Sequence, residues 1–480
     1  SSDVCSSDLG LAQVFRAQTE AIGFCALGSV KTNVGHLQIT SGTAGFIKTA
    51  LALHHKLIPP LLNFKTPNPA LKLEQSPFYI NTETCVWKTT GHPRRAGVNS
   101  LGIGGTNAHA ILEEAPTAVR VSDANERSTH ILMLTARNEV ALRQYAGRFA
   151  RFFTEHGDVN LADVCFTANT GRKVFDQRVS IVGSNSQDFI SQLTAIEKGE
   201  RYSNTFRHEA KSGTKSNIGF LFTGQGAQYP DMGRHLYDTE PAFREQLNIC
   251  AELFSPLLEK PLLAVMFDSV ESQTLIHQTG YAQPALFALE YSLANFWVTL
   301  GVKPHAVMGH SLGEYAAACF AGVMSLNDAV LLVANRAKLM QSLEQTGEMW
   351  TVFTSPATVM PLLAEVGQEV SIAAENGPEN TVLSGCTAQL AEVIAKLNAL
   401  EIRTQRLNTS HAFHSKLMEP ILDRFEQIAQ GIKYQNPQIT LISNISGTTA
   451  SDEITQPHYW RQHIRQSVKF QTGIEKMAAL

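Results

Sequence analysis

The spacing of hydrophobic and polar positions changes period several times along the chain, and each change marks an element. Apolar residues at helical spacing run through residues 41–54, 139–155 and 326–340, which predicts amphipathic helices with one stripe facing a core. Short apolar runs read as strands: Phe78-Tyr79-Ile80, Ala110-Ile111-Leu112, Ile131-Leu132-Met133-Leu134, Arg178-Val179-Ser180-Ile181-Val182 and Asn217-Ile218-Gly219-Phe220-Leu221-Phe222. A further strand over 369–374 meets the turn Glu375-Asn376-Gly377-Pro378, and a helix follows near 389–398. Between the strand Pro304-His305-Ala306-Val307-Met308 and an alanine-rich helix over 312–323 lies Gly309-His310-Ser311-Leu312-Gly313. Ser311 therefore falls on a strand-to-helix turn.

That turn has the character of a nucleophile elbow. The chain reverses so tightly that side chains at 309 and 313 would collide, and the helix start offers the Leu312 N–H as an oxyanion donor. The competing reading is a chance Gly-x-Ser-x-Gly in a loop, which the flanking strand and helix disfavour.

Size and charge narrow the class without naming a function. At 480 residues the chain holds about two to four domains. A formal net charge of −4 gives no pull toward nucleic acid or an anionic membrane. Seven scattered cysteines without a C-x-x-C pair fit a reducing, cytoplasmic setting. No apolar run approaches the length of a membrane span, and the start has no basic segment followed by an apolar one.

Residues 1–9 form a near repeat without apolar periodicity and are expected to be disordered or artefactual. Residues 117–130 and 208–217 are polar breaks. In Gly28-Ser29-Val30-Lys31-Thr32-Asn33-Val34-Gly35-His36, Lys31 and His36 could face one pocket, or be a solvated lysine and a core histidine. The glycines of Leu101-Gly102-Ile103-Gly104-Gly105-Thr106 indicate backbone packed close to a loop or a ligand. The 131–182 stretch is a small α/β unit without catalytic residue types.

Thr223-Gly224-Gln225-Gly226 lets backbone approach a bound group, with Gln225 able to aim an amide N–H at the elbow. Arg336 stands in an otherwise apolar helix face, either solvated or turned inward to select a carboxylate. Residues 347–410 look like a lid subdomain that delivers Thr409-Ser410-His411-Ala412-Phe413-His414-Ser415, a loop able to supply a base.

Two sets of motifs resemble a type I modular polyketide synthase. Lys31-Thr32-Asn33-Val34-Gly35-His36 and Gly104-Gly105-Thr106-Asn107-Ala108-His109 are similar to the carboxy-terminal part of its ketosynthase, over 10–116. The resemblance implies a partial thiolase-like fold in which His36 is one of two histidines driving condensation and Lys31 orders the site. The nucleophilic cysteine of that family is expected upstream, so this part should condense nothing. Residues 117–216 then correspond to an α/β linker.

The elbow, Gln225, Arg336 and His414, in this order, resemble the acyltransferase of the same synthases over 217–480. Arg336 and His414 stand 25 and 103 residues beyond Ser311, as in that family. The resemblance implies an α/β-hydrolase-like fold with an inserted ferredoxin-like subdomain at about 347–410. It makes Ser311 the nucleophile, His414 the base, and Gln225 with Leu312 the oxyanion hole. Arg336 clamps the substrate carboxylate, Asn376 joins the substrate-binding set, and His411 with Phe413 belongs to the malonyl-selecting pattern.

A backbone carbonyl from about 460–465 is expected to orient the imidazole. The implied reaction moves malonyl from malonyl-CoA to the phosphopantetheine thiol of an acyl carrier protein, with no bound cofactor or metal. Partners are the carrier protein and, through the ketosynthase of a full synthase, a second copy; no nucleic acid or membrane is expected. Glu348 and Trp350 replace residues usually small there, which either narrows the pocket or repacks the lid. The end at Leu480 precedes the closing strand of that family, so an exposed sheet edge is expected. A serine hydrolase and a non-catalytic docking fragment are the alternatives.

Overall fold

The computed structural model describes residues 10–89, 91–102, 104–116, 127–209, 217–268, 270 and 272–480. The expectations for 1–9, and for the breaks at 117–126 and 210–216, lie outside these. The chain divides into two compact units, 1–124 and 125–480.

In the first unit, strand Cys25–Leu27 pairs in parallel with Phe78–Ile80, and Arg95–Leu101 forms an antiparallel hairpin with Asn107–Glu113. Helix Ser41–His55 lies on that hairpin because Gly42 and Gly45 bring its backbone against Ser100 and Val98. The glycines near 102–105 are explained by the hairpin itself. Gly105 has φ 86°, and the Gly102 N–H donates to Thr106 O at 3.0 Å. The close packing inferred there is thus against the chain's own turn. Lys31 opens a short helix, Lys31–Val34, and both it and His36 are exposed.

The second unit opens with an antiparallel three-stranded sheet of His130–Ala136, Gln177–Gly183 and Thr205–Glu209, in that order. Alternate strand residues Leu132, Leu134, Val179 and Ile181 meet Leu142, Phe153, Phe189 and Ile196 from the helices in one buried cluster. Helices Glu139–Glu155, Leu161–Thr170 and Ser186–Lys198 each begin with an asparagine whose side chain accepts a backbone N–H. The last helix buries Phe189, Leu193 and Ile196 at helical spacing, whereas the third strand is mostly exposed.

The largest core surrounds a parallel sheet ordered Gly219–Phe222, Ala306–Gly309, Thr440–Ile442. All three strands run the same way, so their carboxyl ends share one edge. Ligands of open parallel sheets bind at such an edge.

Inserted after helix Leu326–Gln341 is an antiparallel sheet ordered Val370–Gly377, Asn380–Cys386, Gly347–Val352, Thr404–Arg406, with helices Pro356–Val366 and Thr387–Ala399. This β-α-β-β-α-β order is ferredoxin-like. Trp350 packs against that subdomain's own buried cluster, and its Nε1–H donates to Glu348, which pairs with Arg406. These two residues therefore repack the lid.

Among the described residues no helix is long and apolar enough to cross a membrane, and no group of three or more His, Cys, Asp or Glu could hold a metal ion. The six cysteines in the described residues are free thiols.

Phe153 is 1% exposed in the linker cluster. Phe153→Ala is expected to cost about 3–5 kcal/mol in urea unfolding, by lost burial and the cavity left behind. A cost under about 1 kcal/mol would show that this cluster does not hold the unit together.

Candidate active site

The elbow is built by close backbone approach. A Cβ at Gly309 would lie 2.0 Å from the Glu314 N, and one at Gly313 would lie 2.4 Å from Phe222 O, so neither position has room for a side chain. Ser311 takes φ 50°, a left-handed conformation that is costly for a residue with a Cβ. The turn is thus held under strain with its hydroxyl projecting at the sheet edge.

Strand order delivers the other groups. Strand Gly219–Phe222 leads into Gly224 and Gln225, and strand Thr440–Ile442 leads into Ser443 and Asn444. His414, itself at φ 58°, hangs from the loop after the lid. Its Nε2 is 2.7 Å from Ser311 Oγ, and its Nδ1–H donates to Gln466 O at 2.8 Å. The orienting carbonyl, that of Gln466, sits just past helix Pro457–Arg465, one residue beyond the expected range.

The imidazole is 4% exposed. Burial, followed by the neighbouring His463, Arg336 and His310, holds its pKa well below the usual 6.5, while the bond to Gln466 works the other way. Neutral His414, with a proton on Nδ1, is therefore set to accept one from Ser311.

Arg336 is 2% exposed, not solvated. Its Nη1 donates to Gln283 Oε1 at 2.6 Å, its Nη2 to Ser311 Oγ at 3.4 Å, and the guanidinium lies 5.4 Å from the Tyr315 ring centre. Among the described residues it has no carboxylate partner. A buried guanidinium in that state has the charge and free donor capacity to receive an anion beside Ser311.

Leu312 is fully buried at the amino end of helix Gly313–Phe320, and its N–H has no acceptor among the described residues. The Gln225 side chain is occupied: its Nε2 donates to Thr279 Oγ1 at 2.9 Å, and Gln283 Nε2 reaches its Oε1 at 3.5 Å. The main-chain N–H of Gln225 remains for an oxyanion. The Thr279 bond continues through Ser410 to His411 Nδ1, while His411 Nε2–H donates to Leu343 O.

His411 is thereby fixed, and Phe413 packs beside it with ring centres 6.0 Å apart. Asn376 Oδ1 accepts from His310 Nε2 at 2.8 Å, so this residue holds the elbow histidine. Lys31 and His36 belong to the other unit and are described with it. A cavity of about 540 Å³, lined in part by Met360, Leu363, Ile372 and Ser467, lies beside the Gln466 segment and does not include Ser311.

Four residues escaped sequence reasoning: Gln283, Gln466, Asn444 and Glu290. Gln283 lies fully buried in the largely apolar helix Thr279–Thr299, and a lone amide there gives the sequence no spacing to read. On the same helix, burial pushes the Glu290 carboxyl up to about 8 and Thr223 donates to it at 2.5 Å, steadying the strand end before Gly224.

Comparison with known proteins agrees with this geometry. A family model described as the acyl transferase domain matches residues 219–480. The chain belongs to the acyltransferase family of type I modular polyketide synthases. A polyketide synthase carboxy-terminal model of the CurL-like kind matches 130–193, and the carboxy-terminal domain of β-ketoacyl synthases matches 9–65.

The acyltransferase chain is 38% identical over 461 residues to the spectinabilin polyketide synthase system protein NorB of Streptomyces orinoci, covering 94% of this chain and 21% of that protein. It is 40% identical over 449 residues to mycoketide-CoA synthase of Mycobacterium tuberculosis, covering 93% and 11%. It thus spans about a fifth or less of those relatives. Among solved structures, the acyl transferase domain of ZmaA superposes with TM-score 0.68 at 31% identity, over 74% of this chain and 82% of that one. The acyltransferase domain from the second module of the salinomycin polyketide synthase gives 0.59 at 37%, over 72% and 80%.

Because a proton on His414 Nε2 removes the base, and its pKa is lowered, the acyltransferase should keep its nucleophile active below pH 6.5. Labelling of Ser311 by a fluorophosphonate across pH is expected to show an acid limb below the usual imidazole value. A limb at or above pH 6.5 would contradict the environment described.

Proposed function

We propose that this acyltransferase transfers a malonyl unit from malonyl-CoA to the phosphopantetheine thiol of an acyl carrier protein. The observation that carries the reading is Arg336, buried, without a carboxylate partner among the described residues, and 3.4 Å from Ser311 Oγ. An acyl group that carries its own carboxylate would satisfy it.

In the first half-reaction His414 Nε2 takes the Ser311 proton as Oγ attacks the thioester carbonyl, and the N–H groups of Leu312 and Gln225 receive the oxyanion. The intermediate collapses, His414 returns the proton to the sulfur, and CoA leaves as its thiol. In the second half-reaction the carrier's thiol gives its proton to His414 and attacks the ester. Collapse then frees the malonyl thioester, and His414 re-protonates Ser311. Malonyl-CoA and the phosphopantetheine arm enter as substrates, and the chemistry calls for no resident cofactor.

Two further observations support transfer over hydrolysis. The imidazole is oriented by the neutral Gln466 carbonyl, where a hydrolase of this fold uses an acidic residue. A solved malonyl CoA-acyl carrier protein transacylase from Clostridium perfringens superposes with TM-score 0.51 at 28% identity, over 55% of this chain and 83% of that one. Phe413 beside His411 supports malonyl over a bulkier branched unit, by about 1–3 kcal/mol for one methyl group. The ketosynthase unit is assigned no condensation. Its Cys25 thiol is pushed up by burial, opposite to what a nucleophile needs, and pairing of two copies through it stays part of the proposal for a full synthase.

Malonyl-CoA labelled in the acyl group is expected to leave a stable ester on Ser311 that Ser311→Ala abolishes. Rapid release of free malonate instead would favour the hydrolase. Arg336→Ala should lower malonyl loading by about 10²-fold or more while acetyl loading is spared, since truncation removes a buried charge-assisted pair. An unchanged preference for malonyl over acetyl would refute the carboxylate role.

A further inference from the structure

Behind Ser311 lies a buried polar cluster that takes no direct part in the chemistry described so far. Asn444 is 1% exposed and Glu314 is fully buried. Asn444 Oδ1 accepts the Ser311 N–H at 2.7 Å, and its Nδ2 donates to Gly309 O at 2.8 Å, so one planar amide grips the elbow on both sides. The Asn444 main chain is held in turn: its N–H donates to Glu314 Oε2 at 2.8 Å. The other carboxylate oxygen accepts from the Tyr459 hydroxyl, which also meets Ser443 Oγ at 2.7 Å. Finally, Asn444 O accepts the N–H of Lys469 at 2.7 Å, three residues beyond the carbonyl that orients His414.

We propose that Asn444, locked by Glu314, is a positioning residue that fixes the Ser311 backbone and the Gln466–Lys469 segment in one frame, and so sets the distance between nucleophile and base. The chemistry selects this residue type. The left-handed turn at Ser311 leaves a buried N–H, and Gly309 leaves a buried carbonyl; only a side chain with a donor and an acceptor in one plane satisfies both. Aspartate would put a second oxygen against Gly309 O, and an apolar residue would orphan both groups.

Glu314 supplies what keeps that amide from rotating or withdrawing. Its carboxylate lies in the first turn of the elbow helix, where the helix dipole favours it, and it anchors the Asn444 main chain. The inference rests on the proposed acyl transfer only in taking Ser311 and His414 as the reacting pair.

The test uses the full 480-residue chain as wild type, Asn444→Ala, Asn444→Asp and Leu441→Ala. Leu441 is a fully buried apolar side chain on the strand preceding Asn444 and reports destabilisation alone. For each chain three quantities are read: the rate of Ser311 labelling by a fluorophosphonate, kcat and KM with malonyl-CoA, and Tm.

Asn444→Ala is expected to lower labelling and kcat by about 10²-fold with KM within about twofold, as for a misplaced reacting atom. Leu441→Ala should lower Tm yet label within about twofold of wild type while folded. Equal labelling by Asn444→Ala and wild type, or equal losses in Asn444→Ala and Leu441→Ala, would overturn the role.

Should Asn444→Ala fail to fold, Asn444→Asp carries the test, since it keeps the acceptor for Ser311 but loses the donor for Gly309. Its labelling is expected to fall about tenfold, and a wild-type rate overturns the proposal. A wild-type chain that reacts with the fluorophosphonate but not with malonyl-CoA overturns the proposed function alone, and the labelling ratios still decide the role of Asn444.

Discussion

The acyltransferase depends on one steric constraint, the contact of two backbones at Gly309 and Gly313. Because no Cβ fits at either position, the chain turns from strand to helix within a single strained residue, and that residue carries the hydroxyl. A wider turn would move Ser311 away from a base that reaches it from 103 residues further along the chain. Each later element is placed with respect to this turn: the neighbouring strands present Gln225 and Asn444 beside it, and helix Leu326–Gln341 lays Arg336 against it.

Burial gives the assembled groups their chemical character. His414, inside the protein among other cationic or potentially cationic groups, is kept neutral and so able to accept a proton. Arg336 suffers the same desolvation, yet a guanidinium does not give up its proton at ordinary pH, so its charge stays and is held by Gln283 and the Tyr315 ring. One environment thus yields an uncharged base and a charged anion receptor, both within reach of Ser311 Oγ. An imidazole oriented by a carbonyl gains less cationic stabilisation than one facing a carboxylate, which suits the proposed transfer, in which the ester has to last until a second thiol arrives.

Much of this was legible in the sequence wherever a feature is local. The Ser311 turn announces itself through two glycines between a strand and a helix, and the helix at Glu139–Glu155 through its apolar stripe. Strand Thr205–Glu209 was not singled out because it is mostly polar and exposed and forms by adding an edge to the sheet, while helix Ser186–Lys198 was missed although Phe189, Leu193 and Ile196 recur at helical spacing. Gln283, Asn444 and Gln466 were invisible for a different reason. Each acts through one amide or carbonyl whose meaning comes from a partner far away in the chain, and a lone amide has no spacing to read. Trp350 shows the converse: its size was evident, but only tertiary packing tells that it fills the lid core and not the cleft.

The most direct test is a crystal structure of the chain trapped as its Ser311 malonyl ester. Convergence of hydroxyl, imidazole and guanidinium on one dicarboxylic acyl group predicts the free carboxylate within about 3 Å of both Arg336 Nη atoms, and the ester carbonyl oxygen toward the N–H groups of Leu312 and Gln225. An ester whose carboxylate points to solvent, with Arg336 still bound only to Gln283, would contradict it.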